Sequence, residues 1–198
     1  MLWLQQGIAP AREASMSSVD YILWSFVAVA VVFVAYRLGL GIRAYWKFRG
    51  ERLITCPEIS QTEAVEVNAR RAALDAFIGE HHLRLRDCSR WPERAGCGED
   101  CLSQVEADPR GCMVWNIVHD WYADKVCARC QKPFGSINWH DHPPALLDED
   151  RNTVQWTEVP PETLREVFLT HQPVCWNCHI AESFRCEHPE LVTDRPAH

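Results

Sequence analysis

The sequence has few glycines and a deficit of positive charge, and both scarcities exclude classes of function. Lysine and arginine total 20 against 27 aspartate and glutamate residues, so the formal net charge is −7. Because affinity for phosphate backbones requires a basic surface, this balance excludes a general nucleic-acid-binding protein. The 9 glycines form no phosphate-binding loop, and neither a Ser/His/Asp arrangement nor an H-E-x-x-H motif is present. The residues therefore indicate no reaction and no small-molecule substrate, and we favour a non-enzymatic role.

Internal repeats and Gly/Ser linkers are also missing, whereas cysteine is unusually frequent. The hydrophobic content of 47% argues against low-complexity disorder. Ten of the 198 residues are cysteine. So many thiols form disulfides, bind metal or take part in redox chemistry, and the compartment decides among these three.

One long apolar segment lies near the N-terminus. Residues 21–36 contain no charge, and about 16 residues of helix measure roughly 24 Å, slightly short of a bilayer core of ~30 Å. Arg37 follows directly, and an arginine near a helix end can extend to the headgroups, so we predict a transmembrane helix over residues 20–42. A buried core helix and a cleaved signal peptide are alternatives. The apolar run is too long for the usual signal peptide, and no small-residue cleavage site follows it.

The charges that flank this segment predict its orientation. Basic residues dominate the C-terminal side, which contains Arg37, Arg43, Lys47, Arg49 and Arg52. Glu51 is the one acidic residue in this stretch. By the positive-inside rule, the chain after about residue 43 is cytoplasmic, which makes this a single-pass protein of the cell membrane. Its basic segment contacts anionic lipid headgroups. Because cytosolic thiols stay reduced, this topology favours metal binding over structural disulfides.

The rest of the chain divides into two modules of a predicted α+β fold. We predict an N-terminal tail (1–19), the transmembrane helix (20–42), a basic juxtamembrane segment (43–52), a cysteine-containing α+β module (53–112), a four-cysteine metal-binding module (113–190) and a tail (191–198). Periodicity predicts strands over 53–56, 64–67, 83–86, 136–142 and 153–158, and helices over 69–77, 99–106, 113–124, 160–170 and 179–185. Asn68 is the expected N-cap of the first of these helices.

The strongest motif is the pair Cys127-x2-Cys130 with the pair Cys175-x2-Cys178. Each C-x2-C turn presents two sulfurs on one side of a tight loop. Four thiolates arranged in this way suit a tetrahedral ion such as Zn²⁺. We therefore predict that these four cysteines bind one zinc ion.

The two pairs resemble those of treble-clef and zinc-ribbon modules over about residues 125–188. The first pair lies in a knuckle, a hairpin follows, and the second pair lies at the start of a helix. Two features depart from those families: Gln131 and His179 replace the glycine that commonly follows the second cysteine, and the gap between the pairs is long. The resemblance implies a structural zinc ion.

Other interpretations use the same cysteines. Cys175-Trp-Asn-Cys178-His179 matches the c-type haem attachment signature, in which both thiols carry thioether bonds and His179 is the proximal ligand. That chemistry belongs outside the cytoplasm and leaves Cys127 and Cys130 without a role. A dithiol redox motif is a further alternative, although no βαβ pattern surrounds it. An iron–sulfur or rubredoxin-like iron centre would also use four cysteines.

A second group of cysteines lies upstream. Cys88, Cys97, Cys101 and Cys112 form a candidate second metal site, with Cys56 as a substitute ligand. Cys97 and Cys101 are about one helical turn apart. Buried or unpaired thiols and disulfides are the alternatives, and Cys186 has no assigned partner.

The segment Trp139-His140-Asp141-His142 places both imidazoles on one face if it is a strand. We favour a polar hairpin surface over a metal or catalytic site for these residues.

These patterns together predict a membrane-anchored zinc-binding protein that acts as an interaction or assembly module, with an unidentified protein partner. One alternative is a membrane-anchored electron-transfer protein that carries haem c or an iron centre. Another is a thiol oxidoreductase or metal chaperone.

Overall fold

The computed structural model describes residues 18–80, 82–94 and 96–191, and the fold mixes helices and sheets as predicted. The helices are α1 (Ser18–Phe48), α2 (Ala69–Ile78), α3 (Leu102–Ala107), α4 (Val114–Ala123), α5 (Leu164–Thr170) and α6 (Trp176–Glu187). The strands are β1 (Glu51–Thr55), β2 (Thr62–Val67), β3 (Leu85–Cys88), β4 (Ala145–Leu147), β5 (Thr153–Gln155) and β6 (Gln172–Val174). The predicted tails lie outside the described residues, apart from residues 18, 19 and 191.

Helix α1 is long and apolar enough to cross a membrane. Its 31 residues correspond to about 46 Å, which exceeds the hydrocarbon thickness of a bilayer. The most apolar part of the helix has no buried residue, and large side chains such as Phe26 and Val32 project outward. Helix α1 continues to Phe48, so most of the basic segment that follows the predicted span is helical too.

The C-terminal third of α1 packs against α2. Gly41 is the buried residue of α1, and a Cβ atom built there would lie 2.9 Å from the carbonyl oxygen of Ala73. Only glycine therefore allows this approach. The Arg37 guanidinium of α1 donates to the carbonyl oxygen of Phe77 in the last turn of α2, where helix carbonyls lack intrahelical partners.

Capping residues in the sequence determine where α2 begins and ends. The Asn68 side chain accepts a hydrogen bond from the backbone N–H of Arg71 at 3.0 Å, which confirms the predicted N-cap. Gly79 ends the helix with φ +100°, a left-handed conformation that glycine adopts without strain.

The first sheet is antiparallel, in the order β1-β2-β3. Leu53 pairs with Ala64, and Val65 pairs with Cys88. The strands predicted over 53–56 and 64–67 are confirmed within two residues. The strand predicted over 83–86 is displaced toward the C-terminus by two residues.

Arg52 of β1, which the charge pattern assigns to the basic flank, is completely buried. Its guanidinium donates to the carbonyl oxygen of Lys47 at 2.6 Å, to that of Pro109, and to the sulfur of Cys112 at 3.5 Å. Arg52 therefore joins the end of α1 to the first sheet and is unavailable to lipid headgroups.

The second sheet is also antiparallel, in the order β5-β4-β6. Its central strand contributes Leu146 to the largest core cluster, beside Leu53 of the first sheet and Val118 of α4. The Tyr122 side chain is fully buried and its hydroxyl donates to the carbonyl oxygen of Ala145 at 2.9 Å. This core therefore contains residues from both predicted modules, whose boundary was predicted between residues 112 and 113.

The strand predicted over 136–142 is wrong, because this segment forms a turn. The Asn138 side-chain oxygen accepts from the backbone N–H groups of His140 and Asp141, both at 3.3 Å. Such local bonds compete with a strand ladder. His140 and His142 consequently do not share a strand face.

Replacing Gly41 by leucine should force α1 away from α2 and destabilise the protein by about 1–3 kcal/mol. Thermal unfolding of the full chain in detergent, followed by circular dichroism, measures this change. Gly39→Leu is the matched control, because a Cβ at Gly39 would meet no atom within 4 Å. An equal loss of Tm in both variants would contradict the assigned contact.

Candidate metal centre

The first cysteine pair lies in a short hairpin knuckle. Val126 and Pro133 form an antiparallel bridge. The backbone N–H of Cys127 donates to the carbonyl oxygen of Lys132 at 2.9 Å, which closes the loop that contains Cys130. These bonds direct both sulfurs to one side of the knuckle, as the C-x2-C spacing predicts.

Gln131 explains how the knuckle forms without the glycine that is common at this position. Its φ is +59°, in the left-handed region that glycine usually occupies. The side-chain amide of Gln131 donates to the carbonyl oxygen of Ala128 at 3.0 Å. This bond holds the turn in a conformation that a non-glycine residue adopts at some cost.

The second pair lies where β6 ends and α6 begins. Cys175 is the N-cap of α6, with extended backbone angles, and Cys178 lies in the first helical turn. The helix predicted over 179–185 is therefore present, and it begins three residues earlier than predicted.

The structure brings all four predicted sulfurs together. The Sγ atoms of Cys127, Cys130, Cys175 and Cys178 lie within 4.8 Å of one another. The Sγ atoms of Cys130 and Cys175 are 3.8 Å apart. A Zn–S bond of about 2.3 Å in a tetrahedron implies sulfur–sulfur distances of about 3.8 Å. The four cysteines can therefore hold one four-coordinate metal ion.

Backbone N–H groups favour the thiolate form of Cys127. The N–H of Cys175 donates to its sulfur at 3.3 Å. Burial by itself raises the pKa of the Cys127 thiol, but the N–H groups of Cys130, Cys175 and Arg129 together lower that pKa to about 7. The innermost sulfur of the centre is thus prepared to ionise near neutral pH.

The thiols of Cys175 and Cys178, on the α6 side of the centre, resist ionisation. Burial raises the pKa of the Cys178 thiol, and the three neighbouring thiols raise it further. Burial also raises the pKa of Cys175, although the N–H of Cys178 donates to its sulfur. Four neighbouring thiols cannot all lose their protons unless a cation offsets their charge. The donor set therefore fits a divalent metal.

Contacts around the sulfurs hold the knuckle against α6. Arg129 on the knuckle forms an ion pair with Glu182 of α6 at 3.2 Å, and both side chains are largely buried. Cys127 is completely buried beside Leu147 and Val174. The pair of segments is therefore positioned by packing as well as by the four sulfurs.

His179, the proposed haem ligand in the alternative interpretation, lies outside the four-sulfur group. Its side chain is buried, and its Nδ1 is 2.8 Å from the hydroxyl oxygen of Thr153 in β5. Burial lowers the pKa of the imidazole. His179 thus ties the first turns of α6 to the second sheet.

The remaining cysteines are separate from this centre, and all ten thiols of the chain are free. Cys56, Cys88, Cys101 and Cys112 contribute to one hydrophobic cluster of the first sheet. Cys97 lies in the loop before α3, and Cys186 is exposed near the end of α6. In the part of the chain that the structure describes, no three of these sulfurs lie within 4.8 Å of one another.

Comparisons of the chain with protein-family models, with curated proteins and with solved structures found no match.

Cys130→Ser should remove one bound metal ion per chain, because serine replaces one of four ligands at an exposed position. It should also lower Tm, since a structural zinc site contributes on the order of 10 kcal/mol to folding. Elemental analysis and thermal unfolding of the purified full chain measure both effects. Cys186→Ser, likewise exposed, is the control and should keep its metal. Full metal content in Cys130→Ser would refute the assignment.

Proposed function

We propose that this protein is a membrane-anchored zinc-binding module that mediates interaction or assembly at the membrane face. The observation that carries the proposal is the closed four-sulfur group, which joins a knuckle and a helix start that are 45 residues apart in the sequence. Four protein ligands leave no open coordination position for a substrate or water, which is typical of a structural rather than a catalytic zinc site.

The position of the second cysteine pair supports zinc over haem. A c-type haem uses Cys175 and Cys178 alone, whereas here both sulfurs lie within 4.8 Å of those of Cys127 and Cys130. We assign the centre to a treble-clef-like arrangement, in which the knuckle precedes the β4–β5 hairpin and α6 carries the second pair. Helix α5 and β6 account for the unusually long gap.

The membrane anchor is supported by the length and exposure of α1 together with the chemistry at its C-terminal end. The Arg49 guanidinium lies 3.7 Å from the centre of the Trp46 ring, and Tyr45 packs edge-on against the same ring. Aromatic and basic side chains of this kind concentrate at bilayer surfaces. We infer from the basic flank that the domain is cytoplasmic, where its thiols stay reduced.

An interaction role is supported by apolar side chains that α6 leaves uncovered. Ile180 and Phe184 are four residues apart, so they lie on one face of the helix, and each is about half exposed, at 47% and 48%. Both follow the metal-bound start of α6. The ion would therefore set the position of this surface relative to the rest of the domain.

The spectrum of the full chain, purified from membranes in detergent under reducing conditions, tests this function. We expect a colourless protein that contains zinc, since Zn²⁺ has a filled d shell and no redox chemistry. Elemental analysis of the same sample gives the metal identity. Visible absorption bands of haem or of an iron centre would contradict the proposal and favour electron transfer.

The proposed topology can be tested separately with a reporter fused after the last residue. A reporter that is active only in the cytoplasm should be active, because the basic flank directs the C-terminal side inward. Exchanging Arg43, Lys47 and Arg49 for glutamate should weaken this preference. An extracytoplasmic reporter in the unmodified protein would overturn the orientation and favour disulfides.

A further inference from the structure

Four of the five cysteines in the first module lie where β1 and β3 end and where α3 begins. Cys56 directly follows the last residue of β1, and Cys88 is the last residue of β3. Both strands pair antiparallel with β2 and run in the same direction, and Cys88 is in register, through Val65 of β2, with Arg52 of β1. Cys101 immediately precedes α3, and Cys97 lies on the loop that leads to it.

Contacts place these thiols in one neighbourhood. Cys56 and Cys88 pack against the hydrophobic cluster that contains the buried Cys101. Burial raises the pKa of the Cys101 thiol to about 11, and the nearby charges of Cys88, Cys97 and Cys56 contribute to this rise. Burial also raises the pKa of the Cys88 thiol, and the nearby charges of Cys97 and Cys56 add to this rise. Cys101 and Cys88 therefore each lie within electrostatic reach of the other three thiols.

Cys112, the fourth ligand in the sequence-based assignment, is engaged elsewhere. Its sulfur accepts from Arg52 at 3.5 Å, and its carbonyl oxygen accepts from the N–H of Leu53 at 2.8 Å. The Cys112 sulfur is thus bound by the buried Arg52 guanidinium, and Cys56 takes its place in the group.

A guanidinium supplies positive charge beside the group. Arg90 donates to the sulfur of Cys56 at 3.1 Å and to the carboxylate of Glu58 at 3.0 Å. Four thiolates around one divalent ion carry an excess negative charge, and an arginine that donates to one of the sulfurs stabilises this charge.

We propose that Cys56, Cys88, Cys97 and Cys101 form a second four-thiolate site for Zn²⁺, independent of the centre on α6. Because no three of these sulfurs lie within 4.8 Å in the described chain, binding would draw the loop before α3 toward the sheet. The four thiols release four protons to the solvent as the ion binds, so no oxidant or reductant is needed. The ion would fix the connection between β3 and α3.

Zinc stoichiometry of the full chain in detergent tests this site. The reduced, metal-free protein is titrated with Zn²⁺ and freed of excess ion, and the bound zinc is counted per chain. We expect two ions in the unmodified protein and one in Cys101→Ser. Cys97→Ser should also bind one ion. Because Cys97 lies in a loop, this variant gives the same test even if the buried Cys101→Ser change prevents folding. Cys112→Ser is the matched control and should bind two.

Further variants separate the two centres. Cys130→Ser should bind one ion, and Cys130→Ser combined with Cys97→Ser should bind none. A single ion that is lost in Cys97→Ser but kept in Cys130→Ser would support the second site and overturn the first. One ion in the unmodified protein that both Cys97→Ser and Cys101→Ser retain would overturn the second site. Disulfides among these four cysteines in the protein as purified without reductant would overturn it as well.

Discussion

Four thiols that lie within 4.8 Å of one another cannot all ionise unless a cation lies among them, and this constraint acts where the knuckle meets the start of α6. Two of the sulfurs belong to a knuckle and two to the start of α6. Apart from the sulfurs, these segments are joined by the Arg129–Glu182 pair, by the N–H of Ala128 that donates to the carbonyl oxygen of Pro173, and by a few apolar side chains. A small loop-rich region of this kind gains from a metal the stability that a larger core supplies in other folds.

The remainder of the domain connects this centre to α1. The buried Cys127 packs beside β4 and β6, and the neighbouring Tyr122 hydroxyl joins α4 to the first residue of β4. Helix α4 packs in turn against the first sheet, where Arg52 bonds the end of α1. Hydrogen bonds and packing therefore connect the four-cysteine segment to α1.

Local signals predicted much of this structure. The cysteine spacing predicted the four-sulfur group, and the Asn68 cap and apolar periodicity predicted α2 and α4 within one residue at each end. Strands β4 and β6 were missed, because three residues are too few to show alternation and Ala145–Leu147 is buried on both faces. In the proposed second group, the choice between Cys56 and Cys112 rests on the tertiary contact of Cys112 with Arg52, which cysteine spacing does not contain. Burial of Arg52 likewise results from tertiary contacts that a charge count does not contain.

X-ray absorption at the zinc edge of the full-length protein tests the central claim most directly. We expect a first shell of four sulfur atoms at about 2.3 Å, with no nitrogen or oxygen ligand. The same shell is expected at both proposed sites, so the spectrum is independent of how many are filled. A shell that contains oxygen or nitrogen, or purified protein without zinc, would contradict the account.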